Sequence, residues 1–232
     1  MTTTLLVPGL LCDAFVWEPV TRAMPEAVVP HMEGMDDLSE MARHCLSLAE
    51  GPLHVAGHSM GARIAMEMAR MAPERVQRLA LLDTGIHPLK EGEPAKRAEI
   101  VAFARENGMR ALAERWLPGM VHPDRHEDAT LMGALSEMVM RRDPEEHARQ
   151  IAALVGRPDA SRYLSEITCP TLLVVGRQDV WSPVAQHEDM MALLPDARLE
   201  IIEDAGHFAP VEQPDAVAEI LIPFLTPNRR ER

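Results

Sequence analysis

The sequence is poor in cysteine, in aromatic side chains and in positive charge, and it contains no long apolar run. Its 232 residues include three cysteines, Cys12, Cys45 and Cys169. They are odd in number, far apart and never spaced C-x-x-C, which argues against a disulfide framework and fits free thiols in a reducing compartment. Lysine and arginine number 23 against 36 acidic residues, a formal net charge of −13. No basic patch is available to neutralise phosphates, so nucleic acid and anionic membrane surfaces are not expected partners. No apolar stretch approaches the roughly 20 residues that cross a bilayer. The apolar stretch at residues 5–12 lacks a positively charged flank and carries Pro8-Gly9 in its middle, so it does not read as a secretory signal. The expected location is the cytoplasm. Repeats and low-complexity tracts are absent as well. Aromatics make up only 3% of the chain, so the few that flank chemically interesting loops carry extra weight.

What is present is the composition of a globular protein, 47% hydrophobic and 25% charged. The length suffices for one sizeable core and a small lid, not for two independent domains. Apolar runs at residues 2–7, 27–29, 53–56 and 79–82 read as strands. Amphipathic stretches at 15–24, 39–50 and 60–71 read as the helices between them. This β-α-β-α-β-α-β order predicts a parallel sheet with helices on both faces.

From about residue 86 to 165 the strand pattern stops. Four helices are expected there, at 94–106, at 109–117, at 127–142 and from Asp143 onward. Asp143-Pro144-Glu145-Glu146 supplies an N-cap, a proline at N1 and an acid at N3. The sheet pattern returns at 171–175 and 198–202, followed by a last helix at 214–224 and a polar tail at 227–232. A helical block inside an α/β chain reads as an inserted cap. The expected division is a core of 1–86 and 166–232 around a cap of 87–165, within one structural domain.

Three loops carry the chemistry. Gly57-His58-Ser59-Met60-Gly61 matches G-x-S-x-G between an apolar strand and a helix, the context in which a serine is raised on a sharp turn above a sheet. Asp179 follows the strand at 172–175, and His207 follows the strand at 199–202. Strand C-termini of an open α/β sheet share one edge, so Ser59, Asp179 and His207 are delivered to the same place. A serine hydroxyl needs a base to act as a nucleophile at neutral pH. Histidine titrates near that pH, and an aspartate fixes the imidazole tautomer. An oxyanion needs two N–H donors. Met60, at the helix N-terminus, offers one, and Leu10, in Pro8-Gly9-Leu10-Leu11, the other.

With Leu6-Val7-Pro8-Gly9-Leu10, Leu81-Leu82-Asp83-Thr84, Gly176-Arg177-Gln178-Asp179 and Ala205-Gly206-His207-Phe208 added to the serine motif, nearly the whole chain resembles the α/β-hydrolase superfamily. The likeness is to small bacterial serine esterases and lactonases with a helical cap. Two departures stand out. Pro8-Gly9 occupies the place where the family usually has His-Gly, and the chain starts directly at the strand feeding that loop. The resemblance then implies a mainly parallel sheet of about six strands rather than eight. It implies hydrolysis of a carboxylic ester or lactone of a small apolar or aromatic acid, with no cofactor. The same three residues also serve C–C bond hydrolysis of diketone-like substrates, and a non-catalytic ligand receptor is the reading outside enzymology. The chain is expected as a monomer or homodimer, with a small molecule as its partner.

Other candidates are weaker. His58 should point away from its neighbour Ser59 and be structural. His122 and His126 are four apart, but Pro123 breaks the helix that would align them on a metal, and no H-E-x-x-H occurs. Asp83 also follows a strand and is the reserve for Asp179, whereas Asp204 reads as a loop-stabilising acid. Leu11, Trp116, Met120, Trp181 and Phe208 are the expected pocket walls. Met132 and Met138 are further possible linings among sixteen methionines that are mostly core fillers.

Overall fold

A computed structural model describes residues 2–227. The polar tail expected at 227–232 therefore falls almost wholly outside the described residues.

The strands whose sequences are apolar throughout lie deepest. β2 (Leu53–His58) and β4 (Thr171–Gly176) are buried at every position. Continuous burial is the condition of a parallel strand covered on both faces. With β1 (Thr3–Val7), β3 (Val76–Leu82) and β5 (Ala197–Ile202) they form one parallel sheet in the order β1-β2-β3-β4-β5. Leu6 lies beside Ala56, Ala56 beside Ala80, and Ala80 beside Leu172. Successive side chains alternate between faces. Leu6, Ala56, Ala80 and Leu172 therefore enter one core, and Leu5, Val55, Leu79 and Leu173 the other.

The sheet has five strands rather than about six. The stretch at 27–29 contributes a single parallel bridge, Leu5 to Val28. Leu6 N donates to Val28 O at 2.9 Å, and Val28 N donates to Thr4 O at 2.9 Å. Pro25 and Pro30 flank this stretch, and a residue without an N–H cannot extend the ladder.

Helices α1 (Glu18–Ala23), α2 (Leu38–Ser47) and α3 (Met60–Met71) precede the change of pattern. Between β3 and β4 the chain is helical, with α4 (Glu93–Trp116), α5 (Ala129–Met140) and α6 (Pro144–Val155). Two of the expected helices are the halves of α4, separated by Gly108 at φ 82°, ψ 170°. Only glycine adopts that backbone without steric cost. Asp143 caps α6 as its sequence implies, its carboxylate accepting from Glu146 N at 2.7 Å. The chain finishes with α7 (Val184–Leu193), the short α8 (Ala209–Glu212) and α9 (Pro214–Leu225).

Candidate active site

Parallel strands place their C-terminal ends on one edge, and three loops from that edge converge. Ser59 stands between β2 and α3 at φ 54°, ψ −113°, a conformation that L-residues rarely adopt. Its surroundings enforce it. Ser59 N donates to Leu82 O at 2.8 Å, and Thr84 Oγ1 donates to Ser59 O at 3.0 Å. A Cβ on Gly57 would fall on the Gly61 carbonyl, and one on Gly61 would fall on the Val7 carbonyl. Both glycines are there for close approach.

His207 lies between the other two groups. Its Nε2 is 2.8 Å from Ser59 Oγ and its Nδ1 is 2.8 Å from Asp179 Oδ2. Asp179 Oδ1 accepts from the N–H groups of Trp181 and Ser182 at 2.8 and 2.9 Å. Burial alone would raise the Asp179 carboxyl, but the charge and hydrogen bond of His207, with those two N–H groups, outweigh it and hold Asp179 below the usual carboxylate range. An ionised Asp179 accepts from Nδ1–H, which leaves Nε2 free to take the serine proton.

Asp83 behaves oppositely. It is fully buried, and burial followed by the charge of Asp179 pushes its carboxyl well above the usual range. Its Oδ1 accepts from Gly176 N at 2.9 Å, and it does not reach His207. His58 is also fully buried, with Nε2 2.7 Å from the His207 carbonyl oxygen. Burial, then the neighbouring His207, lowers His58 to about 3. The ring is neutral, donates through Nε2–H and stacks on Phe208 at 5.5 Å. His58 thus holds the backbone of His207 and stays away from the serine hydroxyl.

The two expected oxyanion donors, Leu10 and Met60, line the same cavity as Ser59. Met60 is the first residue of α3. Gly9 O accepts from Cys12 N at 3.1 Å, closing a turn that brings Leu10 into the wall of the cleft. Among the described residues neither Leu10 N nor Met60 N is spent on another group.

A cavity of about 720 Å³ opens over Ser59 and His207. Its far wall comes from the helical block, through Ile100, Leu112, Trp116, Met120 and Ile151. Trp116 meets Phe208 edge to face at 6.1 Å, and Trp181, half exposed, also lines the cavity. Leu11 does not. At φ 60° it turns its side chain into the core (1% exposed), and its N–H donates to Gln150 Oε1 of α6 at 2.8 Å. Met138 is buried in the core and the half-buried Met132 packs against it, and neither lines the cavity. His122 Nδ1 accepts from Asp124 N, and His126 lies exposed beyond it. Asp204 serves its loop through its carbonyl, which accepts from Gln213.

Several supporting groups have no motif around them. Glu212 is buried and accepts from Gly206 N at 2.9 Å and His122 N at 2.7 Å. His207 N donates to Met120 O at 2.7 Å. The histidine loop is therefore fastened to the helical insertion, as the Leu10–Leu11 loop is through Gln150. The cavity also has a charged wall, including Arg63, Glu93 and Arg157. Nothing in their local sequence marks it, because they come from three separate elements.

Comparison with known proteins agrees with this geometry. The chain is 28% identical over 221 residues to a pimeloyl-[acyl-carrier protein] methyl ester esterase of Nitrosomonas europaea, covering 88% of this chain and 87% of that one. It is 28% identical over 180 residues to a 2-hydroxy-6-oxononadienedioate/2-hydroxy-6-oxononatrienedioate hydrolase of Cupriavidus pinatubonensis. That match covers 75% of this chain and 62% of the relative's length. Among solved structures, a malate-bound thermophilic esterase from Thermogutta terrifontis superposes with a TM-score of 0.89 at 26% identity, covering 97% of this chain and 89% of that one. The alpha/beta hydrolase family model matches residues 5–220. With the serine turn, the sheet order and the helical insertion all in place, the chain belongs to the alpha/beta hydrolase family.

Proposed function

We propose that this protein is a serine hydrolase that cleaves a carboxylic ester or lactone of a small acid through an acyl-enzyme on Ser59. One observation carries the reading: His207 sits 2.8 Å from Ser59 Oγ on one side and 2.8 Å from Asp179 on the other. In this scheme Ser59 Oγ attacks the substrate carbonyl as its proton passes to His207 Nε2. The Leu10 and Met60 N–H groups hold the developing oxyanion. His207 returns the proton to the departing alkoxide, which in a lactone stays tethered to the acyl group. It then takes a proton from water, which attacks the acyl-enzyme, and gives that proton to Ser59 Oγ as the acyl–oxygen bond breaks and the acid leaves. Asp179 keeps the imidazole in the required tautomer. The route draws only on groups of this chain and on water. The apolar wall of Leu10, Trp116, Met120 and Phe208 suits an apolar or aromatic substrate body.

Residues 87–165 act in this reading as the cap of a single hydrolase domain. The chain would work as a monomer or homodimer, and its unpaired thiols fit the cytoplasm. Among the described residues no helix is long and apolar enough to cross a membrane. The test is labelling with a fluorophosphonate, together with burst kinetics on p-nitrophenyl butyrate. Ser59→Ala should abolish labelling and lower kcat by about 10⁴ or more. Labelling that persists at another serine refutes the assignment, and an unreactive Ser59 leaves the receptor reading.

A second reading is C–C bond hydrolysis of a vinylogous diketone by the same residues. It is supported by the Cupriavidus pinatubonensis relative, whose name describes a hydrolase of an oxo-dienedioate. Faster turnover of such a diketone than of esters would favour it.

A further inference from the structure

The chain carries a formal charge of −13, yet the wall of the cavity over Ser59 has the opposite balance. Six of its lining residues are lysine or arginine and three are glutamate. Most of these cations are engaged or lie at the surface. Arg157 grips Glu93 with two hydrogen bonds of 2.8 and 2.7 Å, and Arg97 takes the same carboxylate at 2.7 Å. Arg115 lies over the Phe103 ring at 4.6 Å, and Lys90 and Lys96 are exposed.

Arg63 is different. It lines the cavity on α3, one turn after Ser59, and its guanidinium has no hydrogen bond or ion pair among the described residues. Burial and then the adjacent Arg157 lower it to about 10, with Glu93 opposing. It is therefore still a cation at neutral pH, but in a place short of one negative charge. Glu93, the acid that could supply it, is already shared between Arg157 and Arg97. His87, lowered to about 4 by burial and then by Arg63, remains neutral and adds no charge. His147 lines the same cavity with a buried Nδ1 that lacks a partner. A planar guanidinium with its donors free, facing a cleft, is suited to a carboxylate.

We propose that Arg63 binds a carboxylate of the substrate, so that this protein acts on esters or lactones carrying a free carboxylate besides the scissile bond. This rests on the serine-hydrolase reading and narrows it. The apolar wall takes the substrate body, and Arg63 sets its register over Ser59.

The experiment uses two matched pairs of esters. Mono-p-nitrophenyl glutarate against p-nitrophenyl valerate places the charge on the acyl side. 4-Carboxyphenyl against 4-carbamoylphenyl butyrate places it on the leaving group. In at least one pair the anionic member should have the higher kcat/KM, by about tenfold or more, mostly through KM. Arg63→Gln should lower that preference by about 10- to 100-fold, and Arg63→Lys should keep part of it, because a point charge remains without the fork. A second arm needs no turnover: monomethyl glutarate and monomethyl terephthalate binding to Ser59→Ala, by calorimetry, should weaken about tenfold or more for at least one of them when Arg63→Gln is added. If Ser59 is labelled and the esters are cleaved but neither pair shows an Arg63-dependent preference, the carboxylate proposal is overturned and the hydrolase reading stands. If no ester is cleaved, the hydrolase reading fails, and equal affinity in the two binding variants for both monoesters overturns the carboxylate site as well.

Discussion

Replacing Asp179 by asparagine separates the two acids of the site, and the hydrogen bonds dictate the result. Oδ1 of Asp179 receives the N–H groups of Trp181 and Ser182, while Oδ2 receives His207 Nδ1–H. In Asp179→Asn the amide oxygen must keep the Oδ1 position, because an NH₂ there would face two fixed donors. The NH₂ is then placed against His207 Nδ1. The imidazole responds by moving its proton to Nε2, so that Nδ1 can accept. Ser59 Oγ, 2.8 Å from Nε2, then meets an N–H where it needs a base. A triad aspartate changed in this way costs on the order of 10⁴ in kcat, or about 5.4 kcal/mol of barrier. Asp83→Asn should behave otherwise. Burial and then the charge of Asp179 push the Asp83 carboxyl well above the usual range, and an amide of the same shape still accepts from Gly176 N through its oxygen. A loss under about threefold, less than ~0.7 kcal/mol, is expected. Removing a carboxyl with a raised pKa should also leave stability at neutral pH undiminished, since such a group costs stability once pH exceeds its unfolded value. The assay is steady-state hydrolysis of p-nitrophenyl butyrate by both variants, with Tm recorded to confirm folding. Equal losses, or a larger loss at Asp83, would refute both the tautomer reasoning and the assignment of the acid.

Three further outcomes are expected. Gln150→Leu deprives Leu11 N–H of its acceptor, which should cost about 1–3 kcal/mol of stability. It should also lower kcat more than it raises KM, because the loop of Leu10 loosens; an unchanged kcat would show that α6 does not position that loop. Gly206→Ala should disturb the site, since a Cβ there would lie 2.7 Å from the Val121 carbonyl carbon and 2.8 Å from His122 N; kcat/KM for p-nitrophenyl butyrate should fall, and wild-type kinetics would contradict it. Stability should fall on acidification below about pH 6.5. His58, His147 and His187 are lowered to about 3, 4 and 4, chiefly by burial. The unfolded chain therefore binds more protons between about pH 4 and 6.5, and stability rises with pH across that window. Scanning calorimetry from pH 8 to 4.5 should show Tm falling, with a shallower slope in His147→Gln; a flat profile would contradict the neutral buried rings.

The local sequence determined the parts that depend on short-range chemistry. Apolar runs without breaks became the buried strands, and their loops carried Ser59, Asp179 and His207 to one edge because parallel strands all end there. Gly57 and Gly61 marked the serine turn, since only residues lacking a Cβ permit its close contacts. The loss of strand patterning after residue 86 marked the helical insertion. Other features depended on which segments meet in space. The stretch at 27–29 has strand composition, but its flanking prolines allow only one bridge. Helix α7 was not legible, because it buries only His187 and Met190 and so shows little periodicity. Leu11 has the apolar character of a pocket wall, yet its positive φ sends it into the core. Glu212, Gln150 and Arg63 read as surface residues in a linear chain. They become a loop anchor, a loop acceptor and an unpaired cation over Ser59 only when the sheet edge and the inserted helices close on one another, because hydrogen-bond partners and charge balance are set by distances that no local pattern encodes.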